Sequence, residues 1–280
     1  MGLGNTNDFP RISIVMPSFN QAQYLEEAIR SILDQNYLNL EFMILDGGST
    51  DGSREIIERY SDCLTYWQSQ PDKGQTDALI QGFARATGDL MGWVNSDDIL
   101  LPRALDFIAK AYISNPDGGL FGGNYILIDR NSRITRCKRH PAQAAYFARR
   151  GLFIVNQPGS FFKRQDYEAV GGLNVNFSYV MDTDLYIRML VNRTRYVYIS
   201  NWLSGFRKHA MAKTVSETDK THREFKLVRR RYSPSIKSHL VWRCVFVIWQ
   251  VMNGNYLRMS IETSLTRGKK WREWVSTNIQ

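Results

Sequence analysis

Acidic and amide side chains gather at three places where an apolar run stops. Ile12-Ser13-Ile14-Val15-Met16 gives way to Pro17-Ser18-Phe19-Asn20, Glu41 to Leu45 ends in Asp46-Gly47-Gly48, and Leu90 to Val94 ends in Asn95-Ser96-Asp97-Asp98. Short apolar runs bounded by turn residues are the pattern of buried strands. In an open parallel sheet, ligands bind outside the carboxyl ends of the strands, so these three ends would share one rim. Adjacent carboxylates repel each other unless a cation lies between them. Hard oxygen ligands of this kind suit magnesium or manganese. Turn chemistry alone also favours Asp and Asn at such positions. It is the coincidence of three strand ends that points to a site.

Gly47-Gly48-Ser49-Thr50-Asp51-Gly52-Ser53 is glycine-rich and precedes a helical pattern, as a phosphate loop would. It lacks the Gly-Lys-Ser/Thr ending of a nucleoside-triphosphate loop and the spacing of a dinucleotide fold. It reads as a turn and helix cap, with Asp46 as its functional residue.

The elements that must position these groups alternate about every 15 residues. Tyr24 to Gln35 has apolar residues at Leu25, Ala28, Ile29, Ile32 and Leu33, which is helical spacing. A helix follows Ser53, a third strand falls at Leu64 to Trp67, and a helix covers Thr76 to Ala86. Such alternation predicts an α/β fold with βαβ units on a mostly parallel, Rossmann-type sheet. After Pro116 the pattern loosens. A hairpin around Arg130-Asn131-Ser132, short helices at Gln165 to Val170 and Asp184 to Val191, and a strand at Tyr196 to Ile199 would complete a cleft. Residues Glu217 to Gln280 read as helical.

The strand-end motifs resemble those of the family 2 glycosyltransferases, inverting enzymes of the GT-A fold that use nucleotide sugars. Asp72-Lys73-Gly74-Gln75, Asn156-Gln157-Pro158-Gly159, Gly171-Gly172-Leu173 and Asp182-Thr183-Asp184-Leu185-Tyr186-Ile187-Arg188 extend the likeness in order. It covers roughly Arg11 to His209. The resemblance implies a donor site in which Asp46 bonds the nucleobase, uracil in a UDP-sugar, with Pro17, Ser18 and Asn20 beside the nucleotide. Asp97 and Asp98 match the Asp-x-Asp region that holds ribose and metal (Mn2+ or Mg2+). The alignment favours Asp97 as the metal ligand. His209 stands where some relatives place a histidine near the diphosphate. Asp182 matches the catalytic base, and Arg188 a common position after it. From the residues alone, Asp182 fits equally a helix cap. Three departures stand out: Asn95 for the first aspartate of the metal motif, Met181 for a glutamate, and Ile80 for a polar residue.

Composition bounds the alternatives. The chain has 280 residues, 43% hydrophobic and 22% charged, an ordinary globular balance. No apolar run reaches the roughly 18 residues of a membrane span. The start from Met1 lacks a secretory pattern, though Met1-Gly2 with Thr6 passes the loose myristoylation pattern. Three separated cysteines, Cys63, Cys137 and Cys244, argue for a reducing, cytoplasmic setting. The expected organisation is a flexible N-terminus over 1–10, a catalytic domain over 11–210, and a basic helical extension over 211–280.

The net charge is +9, but its distribution is uneven. From Arg207 onward there are 16 Lys+Arg and 5 Asp+Glu, so the body of the chain is near neutral. No nucleic-acid module accompanies that basic tail. Its apolar stretch, Leu240 to Met252, is too short to span a bilayer. It suits either a helix packed on the domain or one lying at an anionic membrane, with Lys226 to Lys237 before it and Lys269, Lys270, Arg272, Trp271 and Trp274 behind. The acceptor the resemblance implies is a glycan or a lipid-linked oligosaccharide. Two other functions fit some of these features: a nucleotidyltransferase, and a binding module for nucleotide sugars or polyanions that has lost catalysis. The first usually carries a glycine- and basic-rich loop where this chain has Ser18-Phe19-Asn20-Gln21.

Overall fold

The structure, a computed structural model, describes residues 9–278 except 151, 153, 154, 156, 158, 211, 213–217 and 233–235. Residues 1–8, including the Met1-Gly2 start, and Asn156 and Pro158 of the Asn-Gln-Pro-Gly motif therefore lie outside the described residues. The first half alternates β1 (Ile12–Ser18), α1 (Ala22–Leu33), β2 (Leu40–Asp46), α2 (Ser53–Arg59), β3 (Tyr66–Ser69), α3 (Gln75–Arg85) and β4 (Leu90–Trp93). There follow β5 (Ile99–Leu100), α4 (Ala104–Ser114), β6 (Gly118–Ile128), β7 (Ile134–Lys138), α5 (Ala144–Ala148), β8 (Ser160–Lys163), α6 (Arg164–Ala169), α7 (Met181–Val191) and β9 (Arg195–Arg207). The C-terminal helices are α8 (Thr218–Tyr232), α9 (Ile236–Met252), α10 (Asn255–Thr266) and α11 (Trp271–Asn278).

The strands form one sheet in the order β3-β2-β1-β4-β8-β6-β9-β5, with β7 on β6. β1 pairs in parallel with β2 and β4, and β2 with β3. β8 is antiparallel to both β4 and β6, which makes β6 and its parallel partner β9 point the same way as β4. The sheet is therefore mostly parallel, as the alternation predicts. Its departures are β8, β5 and the β6–β7 hairpin. The hairpin falls where the sequence places it. β8 and β5 were not expected: they are short and join strands distant in the chain, so no local periodicity marks them. β3 also lies two residues later than expected.

Side chains on β1 alternate between two cores. Val15 joins Leu79, Phe83, Trp93 and Phe162 under α3 and α7. Ile12, Ile14 and Met16 join Leu25, Ile29, Phe42 and Ile108 under α1 and α4. A third cluster, between β5, β6 and β7, is closed by Trp271, Trp274 and Val275 of α11. This corrects one expectation about the tail. Trp271 and Trp274 are 3% and 6% exposed, so they anchor α11 to the sheet and are not available to a membrane.

The insertion of β8 depends on Gly92. Its register partner is Phe161, and a Cβ on Gly92 would stand 2.6 and 2.8 Å from ring atoms of that buried phenylalanine. A strand glycine here marks a close approach. Gly92→Ala should lower stability by about 1–3 kcal/mol, the usual cost of overpacking. A urea titration should show a lower midpoint with an unchanged slope.

Candidate active site

The carboxyl ends of β1, β2 and β4 form one rim, with Ser18 opposite Asp46 and Asp46 opposite Ser69 in register. Beside the rim lies a cavity of about 810 Å³. Pro17, Ser18 and Phe19 from the β1 turn, Gly47, Asp72, Asn95 and Asp97 line one part of it; Tyr179, Met181, Asp182 and Thr183 of α7 and its approach line another. Thr221 and Phe225 of α8 complete the wall. The first helix of the basic extension thus belongs to the cleft.

The two loops that follow β1 and β2 are latched together. Asn20 has φ 52 and is exposed; its amide N–H donates to Ser49 Oγ at 2.8 Å, and its Oδ1 accepts from the Thr50 N–H at 3.0 Å. Asp51 accepts from the Ala22 N–H at 2.9 Å and from Ser53 N–H and Oγ–H, so one carboxylate serves the first turns of both α1 and α2. The glycine-rich segment is thus a turn and cap, with Gly48 and Gly52 at positive φ. Asp46 is 1% exposed. Its carboxylate accepts from the Gly48 and Ser49 N–H groups and from the Ser49 and Ser69 hydroxyls. It shapes the loop whose Gly47 reaches the cavity. Ser18 Oγ is buried at the cavity edge without a protein partner among the described residues. Buried hydroxyls are normally satisfied, so this one is available to a ligand.

After β4 the acidic pair divides. Asp97 faces the cavity, and its Oδ2 lies 3.0 Å from His209 Nε2. The Tyr24 ring packs on that imidazole at 4.8 Å. Asp98 is 2% exposed and turned inward; its oxygens accept from the Arg207 N–H at 2.8 Å and the Asn95 side-chain amide at 2.9 Å. Burial, then the Asp97 charge, raises its carboxyl well above the usual range. Asn95 also accepts from Gln75 Nε2 at 2.8 Å. An aspartate at 95 would place a third carboxylate against this pair, so the departure to Asn replaces repulsion by a donated hydrogen bond. Ile80 is half-buried against the core, and Met181 is buried at the cavity wall.

Asp182 lies inside the first turn of α7, one turn earlier than the predicted helix start. The N-cap is Val180, which has no side-chain acceptor, so Asp182 is not the cap. Its side-chain bonding is confined to its own turn, with Thr183 Oγ1 at 3.4 Å. Burial pushes its carboxyl up to about 6. Asp184 is fully buried and paired with Arg188 at 2.8 Å, and Arg188 donates also to the Val170 carbonyl. Both hold α7 against the Gly171-Gly172 turn and are absent from the cavity lining.

Among the described residues no cluster of three or more His, Cys, Asp or Glu is arranged for a metal ion. Asp97 and His209 offer one carboxylate oxygen and one imidazole nitrogen facing each other. That donor set fits a divalent ion whose remaining positions are filled by ligand oxygens and water.

A family profile, "Glycosyl transferase family 2", matches residues 13–173. The chain belongs to this family. Membership separates it from the nucleotidyltransferases. An uncharacterized glycosyltransferase of Mycobacterium tuberculosis is 29% identical over 187 residues, covering 64% of this chain and 68% of the relative. Two solved structures share the fold. S. aureus TarS in complex with UDP-GlcNAc superposes with a TM-score of 0.63 at 14% identity, covering 82% of this chain and 69% of TarS. A mannosyltransferase from Pyrobaculum calidifontis, in complex with GDP-Man and Mn2+, gives 0.58 at 17% identity, covering 96% and 84%. The fold is thus of the GT-A type.

Two residues at the site escaped the sequence reading. Arg207, 1% exposed, joins Asp97, Asp98, the β6–β7 hairpin and α1. An arginine at a strand end carries no local mark of such a role. Glu224 of α8 accepts from the backbone N–H groups of Ser178, Tyr179 and Val180 at 2.8 to 3.1 Å. It satisfies donors at the approach to α7, where the helix dipole favours an anion. The spacing Thr221, Glu224, Phe225 and Val228 would have marked this inward face. Removal of the carboxylate in Glu224→Ala should cost about 1–2 kcal/mol, as for a lost cap. It should lower turnover more than donor affinity, because the segment it holds leads into Asp182. Thermal melts and steady-state kinetics check both.

Proposed function

We propose that this chain is an inverting transferase that moves a sugar from a nucleoside-diphosphate donor, a UDP-sugar, to an acceptor hydroxyl on a glycan or lipid-linked oligosaccharide. The observation that carries the reading is the division of labour among the three acidic residues of the cavity wall. Asp72 accepts from the Gly74 N–H and so serves its own loop. Asp97 faces His209. Asp182 is committed to neither a loop nor a histidine, and its raised proton affinity suits it to take a proton near neutral pH.

In this reading the donor lies along the β1 and β2 loops. Ser18 Oγ and the Gly47 backbone meet it, Phe19 (61% exposed) offers a ring face to the base, and Asp46 and Asn20 hold the loops that present them. Asp97 and His209 would hold a divalent ion, which supplies charge neutralisation of the diphosphate leaving group. The complexes of TarS with UDP-GlcNAc and of the P. calidifontis enzyme with GDP-Man and Mn2+ support a nucleotide-sugar donor and a metal. Asp182 accepts the proton of the acceptor hydroxyl as that oxygen attacks the anomeric carbon. A carboxylate that acts as base and not as nucleophile gives one displacement and inversion. The aromatic part of the wall, Tyr125, Tyr179, Phe206 and Phe225, offers stacking faces to the acceptor.

Four outcomes test this. Asp182→Asn should reduce turnover by at least roughly 10²-fold with donor affinity nearly unchanged; retained turnover would mean that the base lies elsewhere. Because the carboxylate is protonated below about pH 6, wild-type kcat should fall on the acid side of that value. The Asp182→Asn variant should melt no lower than wild type above pH 6, since ionising this half-buried carboxyl costs the folded state stability. Calorimetry of UDP and GDP binding, with manganese and with chelator, should show metal-dependent affinity that Asp97→Asn and His209→Ala both remove. Equal affinity with chelator would overturn the metal assignment.

A further inference from the structure

Helices α9 and α10 have two sides of different chemistry. The side of α9 toward the domain is aromatic. Trp242 meets Tyr146, and Phe246 and Trp249 meet Phe147, with ring centroids 4.9 to 5.9 Å apart. Arg150 lies over both Tyr146 and Trp242. The opposite side is aliphatic and uncovered. Leu240, Val241, Val245, Ile248, Val251 and Met252 are 39 to 81% exposed and recur at helical spacing, so they form one stripe. On α10, Leu257, Ile261 and Leu265 recur every fourth residue at 66, 49 and 65% exposure.

Monomeric soluble proteins seldom leave a contiguous apolar face of this length in water. Its charge setting indicates what covers it. Residues 236–272 contain seven Lys+Arg and one acidic residue, Glu262. Glu262 is consumed by an ion pair with Arg139. A second copy of the chain would bring the same positive charge against this one. An anionic surface with an apolar interior complements both features. No helix among the described residues is long and apolar enough to cross a membrane, so the complement is a helix lying in the plane of the interface.

We propose that α9 and α10 dock in the plane of an anionic lipid bilayer, with the aliphatic stripes entering the acyl region and Arg243 and Arg258 among the headgroups. The docking is independent of the donor and of Asp182. It also differs from the alternatives open in the sequence, because the same helix packs on the domain by one face and on lipid by the other.

Sedimentation of the full chain with phosphatidylcholine vesicles, with and without about one third phosphatidylglycerol, tests it. Binding is expected to the anionic vesicles and to weaken at high salt. Ile248→Gln/Leu257→Gln removes one aliphatic residue from each stripe without altering charge. It should lower vesicle affinity at least tenfold while the melting temperature and nucleotide binding stay at wild-type values. Three results would overturn the proposal. One is no binding of wild type to anionic vesicles. Another is undiminished binding by the variant, which would leave only charge attraction. The third is a concentration-independent dimer in light scattering that the variant abolishes, which would make a second copy the occupant. Because these readouts need no turnover, they stand or fall apart from the transferase reading.

Discussion

A guanidinium stays charged inside a protein, so burying one obliges its surroundings to supply acceptors. Arg207 is almost fully buried at the end of β9, and the chain meets that obligation from four directions. Its Nε donates to the Asp97 carbonyl at 2.8 Å, while its backbone N–H donates to Asp98. Nη1 reaches the Asp129 carbonyl and Ser132 of the hairpin turn, and Nη2 reaches Glu27 of α1 at 2.7 Å. The Tyr24 ring covers the guanidinium at 4.7 Å. The turn that carries Asp97 is thereby fixed from beneath, by groups drawn from the sheet, the hairpin and the first helix.

That arrangement also explains how two adjacent aspartates coexist. Asp98 is withdrawn from water and given donors, while Asp97 is left at the cavity with His209. Their environments push them toward different roles, which a bare Asp-Asp pair in a sequence does not reveal. Asn95 takes part, since its amide links Gln75 to Asp98 across the cavity floor.

The parallel half of the fold was legible because each of its strands is followed closely by its helix, and because β1 and β2 are apolar runs with turn residues at their ends. The rim was legible for the same reason. What was not legible depends on contacts distant in the chain. β8 threads between β4 and β6 because Gly92 and Phe161 fit together, and neither residue announces the other. Asp182 could be matched to a family position but not placed in its helix, because the donors at the head of α7 are satisfied by Glu224, more than forty residues on. Asp184 shares the motif with Asp182 in sequence, yet its carboxylate is held in a buried pair with Arg188. Asp46 was legible as the end of β2, but its use as the centre of the loop's hydrogen bonds appears only when Ser49 and Ser69 converge on it.

The basic C-terminal segment is tied to the cleft at both ends. Near its start, Glu224 holds the approach to Asp182, and Phe225 closes the cavity wall. Near its end, the Trp271 indole donates to Glu27 at 2.8 Å, and Glu27 holds Arg207 beneath Asp97. The helices that carry the aliphatic stripes lie between these two ties. An apolar helix with no polar face is ambiguous in sequence because hydrophobicity alone cannot say which side is inward. Here residue shape resolves it: flat rings pack on the rings of α5, and branched aliphatics are left outside. Because the inward face is locked by those rings, a surface that captures the outward face also fixes the orientation of the whole catalytic sheet. Docking of this kind would set the direction in which the cleft opens, as well as raising the local concentration of enzyme.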